Sequence, residues 1–411
     1  LSSFLWKAIE PLGGFPAPSN IKEKDMSEYL PGLAGVPATQ SNISDIDGEK
    51  GILAYRGYPI EQLAESSTFE ETTLLLLDGK LPTATELEVF DQRIRHSRRT
   101  QYHIRDLMKT FPPSGHPMEM LQTSVASLGM FYPGNECLTN ADACEDLDYI
   151  HNMTVEIIGR MATIVAMWEH LRHGYEPYEP RSDLSYAENF LYMFTGEEPD
   201  PLMAKIMDVC LILHAEHTIN ASTFSVLVTA STLASPYSVI AAAIGTLSGP
   251  LHGGANQRVL EMLEEIGSPD KVEAYIDKKL ANKEIIWGMG HREYKTKDPR
   301  AKFLEKLVDQ VLESKGGDVN PLLETAKEVE RVSEDRLAHK GVYANVDFYS
   351  GILYHEMGIP ADQFTAIFAV ARAAGWLAHW REQLNDNRIF RPTQVYTGSP
   401  PRDYVPIELR N

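Results

Sequence analysis

Apolar residues recur along most of this chain at i, i+3, i+4 and i+7, the spacing that lines one face of an α-helix. In residues 363–385, Phe364, Ile367, Phe368, Ala371, Gly375 and Ala378 keep that period. Val259, Met262, Leu263 and Ile266 keep it too, and Gly267 follows where a helix end favours a left-handed residue. Ser268-Pro269 then predicts a fresh helix start, with Val272, Tyr275, Ile276 and Leu280 on one face. Strand-like patterning is scarce. Residues 43–55, broken by the turn former Asp47-Gly48, are the best hairpin candidate. There is no βαβ alternation and no repeat at a fixed period. The pattern predicts an all-α fold with a small N-terminal β hairpin.

One stretch raises the question of a membrane. Residues 217–257 hold no Asp, Glu, Lys or Arg, and 224–247 has about the length of a bilayer span. Ser and Thr recur throughout, however, and Ser235-Pro236 reads as an N-cap followed by proline at the first helical position. Two buried core helices are the expectation. A chain of 411 residues is long enough for two domains, or for one large domain with an inserted lobe. Glycine-rich punctuation at Gly249-Pro250, Gly253-Gly254, Gly288 to Gly290 and Gly316-Gly317 brackets a middle region suited to be that lobe.

The net charge of −20 argues against sequence-independent nucleic-acid binding and against anionic lipid surfaces. An anionic ligand would need its cations gathered locally. Cys137, Cys144 and Cys210 have neither CxxC spacing nor a disulfide framework, which points to a reducing, cytoplasmic setting. The opening LSSFLWKAIEPLGG lacks the apolar core and cleavage site of a secretory signal, and a start at Leu1 suggests a missing initiator or short leader.

Chemistry concentrates in a few loops. His252 lies among Gly249, Pro250, Gly253 and Gly254, where missing Cβ atoms let backbone approach a ligand, and Asn256 is placed to open a helix with its amides towards an anion. The plain alternative is a tight inter-helix turn. His291 follows Gly288-Met-Gly and precedes Arg292, Lys295, Lys297 and Arg300, a basic cluster in an acidic chain. It suits an anionic ligand, or else pairs with nearby acids. Asp347 stands before Phe348 and Tyr349. It is an N-cap or surface acid unless burial raises its pKa and makes it a proton acceptor. His214 and His217, spaced i and i+3, can share a helix face as metal ligands do, but no third ligand completes a zinc motif. HEMG at His355 lacks the second histidine of HExxH.

Taken together, GPLHGGAN, GMGHREYKTKDPR and NVDFYSG, with HAEHTINAST before them and RIFRPTQVYTG after, resemble the citrate synthase family in order and spacing. The resemblance runs from about Leu33, through YRGYPIEQLAE, to the C-terminus. YRGYPIEQLAE and LQTSVASLG are similar to the bacterial, cyanobacterial-type branch. It implies an acyltransferase that condenses acetyl-CoA with oxaloacetate and water to give citrate and CoA. By resemblance, Asp347 is the base, His252 donates to the thioester oxygen and His291 polarises the oxaloacetate carbonyl. Arg300, Arg372, Arg391 and His217 would hold oxaloacetate, with Arg391 reaching the neighbouring subunit's site. The active unit is then a homodimer or higher homo-oligomer. Asn220 and Ser222 would stand behind these, Ser222 orienting His252. Glu284, Ile285, Ile286, Trp287 and Gly288 would hold adenine, and Lys340 would meet a CoA phosphate. No metal or other cofactor is implied. The family is all-α, implying a large domain over 1–253, a small closing domain over 254–358, and a return to the large one over 359–411.

Four positions depart from the family's wording. Met289 replaces an aromatic residue, Glu293 an apolar one, Trp287 stands for Met, and Ala344 stands where Pro is common. A buried Glu293 would raise the pKa of His291, whereas a solvent-facing one would not. The neighbouring possibility on the same scaffold is 2-methylcitrate synthase with propionyl-CoA, since one methylene changes binding by only about 1–3 kcal/mol. A serine hydrolase needs GxSxG, and Gly245-Thr-Leu-Ser-Gly249 has the wrong spacing. A catalytically idle helical assembly scaffold is the remaining alternative.

Overall fold

The computed structural model describes residues 29–33, 35–132, 146–315 and 320–410. Cys137, Cys144, Gly316-Gly317 and the N-terminal LSSFLWKAIEPLGG lie outside them. The chain separates into two units, Ser41–Phe390 on the one hand and Leu1–Gln40 with Arg391–Asn411 on the other. Within the described part of the second unit, short 3-10 turns at Pro31–Leu33 and Ile407–Leu409 interrupt otherwise irregular chain.

The unit Ser41–Phe390 is built of α-helices, as the 3.6-residue period predicts. At its centre lies Phe364–Asn385, buried on nearly every side from Phe364 to Trp380. A helix apolar all round must be enclosed. The helices Leu147–Arg172, Ala221–Ala230, Pro236–Leu247, Phe69–Asp78 and Pro201–His214 enclose it. Its alanines keep the neighbours close, and Trp376 and Trp380 fill what remains. The uncharged stretch forms two helices, and Ser235 caps the second by accepting from Ser238 N–H, with Pro236 at the first position. Among the described residues no helix is long and apolar enough to cross a membrane.

A second group comprises Ala255–Ile266, Val272–Ala281, Pro299–Lys315, Pro321–Leu337 and Val346–Glu356. Here Val346–Glu356 packs on both Ala255–Ile266 and Pro299–Lys315, and Val272–Ala281 packs on Pro321–Leu337. Gly267 ends its helix at φ 77°, as expected. Two local expectations change. Ser268-Pro269 opens a separate 3-10 turn, Pro269–Lys271, and Ser268 makes no side-chain cap. The helix expected to open at Asn256 takes Gly254 as its N-cap, at φ 83°, and Asn256 is buried inside the first turn.

The hairpin is present and grows a third strand. Strands β1 (Ser44–Asp47) and β2 (Ile52–Tyr55) pair antiparallel, Ser44 opposite Tyr55, and β3 (Tyr58–Pro59) adds to the far edge of β2. The sheet is small but positions two loops. Its turn residue Gly48 accepts from Lys295 N–H at 3.0 Å, and a Cβ on Gly48 would sit 2.1 Å from the Glu293 carbonyl. At the other end, the buried Tyr55 hydroxyl donates to Glu216 O at 2.8 Å and accepts from Glu216 N–H at 3.2 Å.

Behind the Glu216 segment the central helix comes so close that Gly375 N–H donates to Ala215 O at 3.0 Å. A Cβ at Gly375 would lie 2.2 Å from Glu216 Oε2 and 2.4 Å from Ala215 O. Since overpacking costs about 1–3 kcal/mol, Gly375→Ala is expected to lower the urea midpoint by that much stability. An unchanged midpoint would show that the contact yields freely.

Candidate active site

Four segments of the Ser41–Phe390 unit meet at one place. The first follows Pro201–His214. That helix ends at His214, so His214 and His217 do not share a helix face as their spacing suggested. The chain turns through Thr218 at φ 52°, and Asn220 caps Ala221–Ala230 by accepting from Thr223 N–H. Asn220 Nδ2 also donates back to His217 O at 3.3 Å, which fixes the turn. His214 is a core residue whose Nδ1–H donates to Cys210 O at 2.7 Å. His217 is buried, with its Nε2 at 3.1 Å from the Tyr294 hydroxyl.

The second segment is the loop after Pro236–Leu247. His252 N–H and Gly253 N–H both donate to Gly249 O, and a Cβ at Gly253 would lie 2.2 Å from Leu247 O, so only glycine lets the loop fold this tightly. The loop presents His252 to Ser222, whose N–H donates to Nε2 at 3.2 Å. A backbone N–H can only donate. Nε2 therefore carries the lone pair, and the ring proton sits on Nδ1, free to donate elsewhere. The Ser222 hydroxyl lies 2.9 Å from the same nitrogen, donates to Asn220 Oδ1 at 2.7 Å, and accepts from Trp376 Nε1–H at 3.3 Å.

The third and fourth segments are stitched together. Met289 and Ala344 form an antiparallel bridge in which Gly290 N–H donates to Tyr343 O and Asn345 N–H donates to Gly288 O. Neither bond uses the Ala344 N–H, so the exchange of Pro for Ala leaves the bridge intact. Asn345 Nδ2 donates to Gly290 O at 2.9 Å, and Asn345 caps Val346–Glu356 through Asp347 N–H. Asn345, not Asp347, is thus the N-cap. His291 stands just past this bridge and packs against His217, with ring centroids 5.1 Å apart. Its Nδ1 accepts from Glu293 N–H at 3.0 Å and Tyr294 N–H at 3.4 Å, which places its proton on Nε2.

Glu293 enters only through its backbone; its side chain is exposed. This settles the sequence ambiguity in favour of solvent. The basic cluster also resolves in parts. Arg292 and Lys295 are exposed, Lys297 is paired with Glu305 and Glu330, and Arg300 is paired with Asp298.

The charges are arranged unequally. Asp298 caps Pro299–Lys315 and grips the buried Arg300 twice, Nε to Oδ1 at 3.0 Å and Nη2 to Oδ2 at 2.7 Å. Arg372 is equally buried, but its Nε donates only to His214 O at 2.6 Å, and the guanidinium lies 4.6 Å above the Phe368 ring. No carboxylate among the described residues forms an ion pair with it. Burial, opposed by Glu216, lowers its pKa to about 10. Burial and Arg372 push His252 down to about 4, and burial and Arg300 do the same to His291. His217 is driven well below the imidazole range by burial, Arg300 and His291. Asp347 moves the other way. Burial raises it to about 6 against the pull of Arg300 and Arg372.

Glu284 is exposed and held by Lys279 and Asn282, while Ile285 is exposed and Ile286 buried. Trp287 is half-buried and lines a shallow hollow with Arg258, Met262, Tyr275 and Lys279. Gly288 joins this run to the bridge. Lys340 is exposed on the 3-10 turn Ala338–Lys340. Arg391 belongs to the other unit and is exposed.

A carboxylate of raised pKa, two neutral imidazoles with one free N–H each and a buried guanidinium without a carboxylate partner among the described residues are the groups that an enzyme of proton transfer on an anionic substrate would gather. The chain belongs to the citrate synthase family. The family's sequence model, described as citrate synthase, C-terminal domain, matches residues 32–393. The chain is 61% identical over 382 residues to the citrate synthase of Acidithiobacillus ferridurans, covering 93% of this chain and 98% of that one. It is 54% identical over 391 residues to the cyanobacterial citrate synthase of Synechocystis sp., covering 95% and 96%. Among solved structures it resembles the citrate synthase of Thermoplasma acidophilum in ternary complex with carboxymethyl coenzyme A and oxaloacetate. That match has a TM-score of 0.85 and 34% identity, covering 93% of this chain and 100% of that one.

Sequence reasoning missed Tyr294, Asp298, Trp376 and the buried pair of Glu216 with His379 at 3.0 Å. Asp298-Pro299 carried a usable signal, since Asp before Pro marks a helix start and puts Arg300 within its reach. The others depend on contacts between distant segments.

The raised pKa of Asp347 gives a stability test. Its folded-state value lies above the usual one, so ionisation opposes folding. The penalty is absent below about pH 4 and complete above about pH 6. Asp347→Asn is expected to stabilise the protein at pH 8 by at most about 3 kcal/mol, the carboxylate keeping some access to water. The gain in thermal midpoint should shrink as pH falls through 6 and vanish near 4. A gain independent of pH would contradict the assignment.

Proposed function

We propose that this chain is a citrate synthase that condenses acetyl-CoA with oxaloacetate and water to give citrate and CoA. The observation that carries the reading is the opposed protonation of the trio, with Asp347 raised to about 6 while His252 and His291 are lowered to about 4. Near neutral pH, Asp347 is an ionised carboxylate able to take a proton, and both histidines are neutral donors. A base tuned close to working pH is the effective kind.

In the reaction, Asp347 takes a proton from the acetyl methyl group. The Nδ1–H of His252 donates to the thioester oxygen as negative charge develops there, a contact strongest in the transition state. His291 directs Nε2–H to the ketone oxygen of oxaloacetate, and the ketone carbon accepts the enol's electron pair. A carbon–carbon bond forms, the thioester carbonyl is restored, and the ketone oxygen takes the Nε2 proton of His291, which the proton removed by Asp347 replaces. Water then attacks the thioester carbonyl, the carbon–sulfur bond breaks, and CoA leaves as the thiol. The scheme routes no step through a metal or prosthetic group.

Arg372 supplies an uncompensated guanidinium for one oxaloacetate carboxylate, and Arg300 and His217 assist, with planar two-point recognition favouring arginine. Asn220 and Ser222 hold the His217 turn and the His252 ring behind them. Residues 284–288 and Lys340 would take the adenine and a phosphate of CoA. The small domain is assigned to 254–358 and the large domain to 1–253 and 359–411. Its closure would keep water from the thioester until the new bond has formed. The working unit is a homodimer or higher homo-oligomer in which Arg391 completes the neighbour's site. The exposed Val395, Tyr396 and Tyr404 support a partner for that segment. A reducing, cytoplasmic location accords with the buried free thiol of Cys210.

The test is release of CoA thiol in the presence of oxaloacetate and acetyl-CoA or propionyl-CoA. Release with acetyl-CoA is expected, with the rate falling as pH drops through about 6. No release would overturn the reading, and faster release with propionyl-CoA would transfer it to the 2-methylcitrate reaction. Asp347→Ala should abolish turnover and leave oxaloacetate binding, measured by calorimetry, nearly intact. Retained turnover would mean the base lies elsewhere.

A further inference from the structure

One buried ionisable cluster takes no part in the scheme above. Glu330, on the Pro321–Leu337 helix, is 5% exposed. Its Oε1 lies 2.7 Å from Lys297 Nζ, and its Oε2 accepts from the Tyr349 hydroxyl. Lys297 is itself largely buried and also reaches Glu305 at 2.9 Å. Replacing such a buried polar cluster by apolar residues is often neutral or stabilising, so its stability alone gives no reason for it.

Its position in the chain does. Lys297 lies six residues beyond His291 on the same loop, and Tyr349 lies two beyond Asp347 on the same helix. On the near side of both catalytic candidates the two segments are already joined by the Met289–Ala344 bridge and by Asn345. On the far side, the two oxygens of Glu330 join them again. His291 and Asp347 are therefore each held between two fastenings, one of backbone and one of side chains.

We propose that Glu330 is a positioning residue for the condensation: by holding Lys297 with one carboxylate oxygen and Tyr349 with the other, it sets the separation of His291 from Asp347. This rests on the proposed citrate synthase reaction, in which the two must act on partners that bond to each other. A misplacement of about 1 Å at such a pair costs on the order of a hundredfold in rate.

The test compares Glu330→Gln, Tyr349→Phe and the double variant with the unmodified enzyme in thiol release, using proteins of native circular dichroism. Each single variant is expected to lower kcat by about tenfold or more while KM for both substrates stays within about threefold, the pattern of a contact needed in the transition state. The two losses should overlap in the double variant, because both act through one carboxylate. Glu328→Gln, at a half-buried position of the same helix where the carboxylate pairs with Arg331 instead, should retain full activity. If Glu330→Gln fails to fold, Tyr349→Phe, which removes a single oxygen, carries the test. A kcat within about twofold of the unmodified enzyme in Tyr349→Phe, or losses that simply multiply, would overturn the inference. Absence of thiol release from the unmodified enzyme would instead overturn the reaction on which it rests.

Discussion

Arg372 is the constraint around which the site is organised. A guanidinium 2% exposed, with one backbone carbonyl for its Nε and no carboxylate within ion-pair distance among the described residues, is expensive to keep charged. The cost is moderated at a distance by Glu216, which His379 and Ser44 fix behind the turn carrying His217. In the proposed reaction an oxaloacetate carboxylate would relieve it. Arg300 shows the contrast, since Asp298 already satisfies much of it. In a chain of net charge −20, attraction for a dicarboxylate cannot come from the global field. The proposed source is one buried cation left incompletely answered.

Burial and the two arginines together tune the rest. Burial, helped by positive charge nearby, keeps His217, His252 and His291 neutral, and neutral imidazoles have one proton each. Which nitrogen carries it then becomes decisive, and backbone N–H groups decide it for two of the rings. Ser222 N–H occupies Nε2 of His252, and Glu293 N–H occupies Nδ1 of His291. Only the opposite nitrogens can donate to a substrate. Burial lifts Asp347 against the pull of the same arginines, so the proposed base and the two proposed donors titrate apart.

Much of this was legible in the chain. The helical period located the central helix, and Ser235-Pro236 divided the uncharged stretch correctly because capping is a local interaction. The three glycine-rich or capped loops flagged His252, His291 and Asp347, and the family resemblance added their order. What escaped depends on contacts across long sequence separations. The third strand is only two residues long. Tyr55, buried under the His217 turn, gave no sign of anchoring Glu216. Glu293 could not be assigned to core or solvent until Gly48 was seen to press on its carbonyl, with its side chain turned outward. The spacing of His214 and His217 misled because the helix ends between them.

The most direct measurement is exchange of the acetyl-CoA methyl hydrogens with deuterated water, with malate as a dicarboxylate that fills the oxaloacetate site but offers no ketone to attack. Steady deuterium incorporation without CoA release is expected, lost in both Asp347→Asn and Arg372→Leu. Exchange in Asp347→Asn at the rate of the unmodified enzyme would contradict Asp347 as the base.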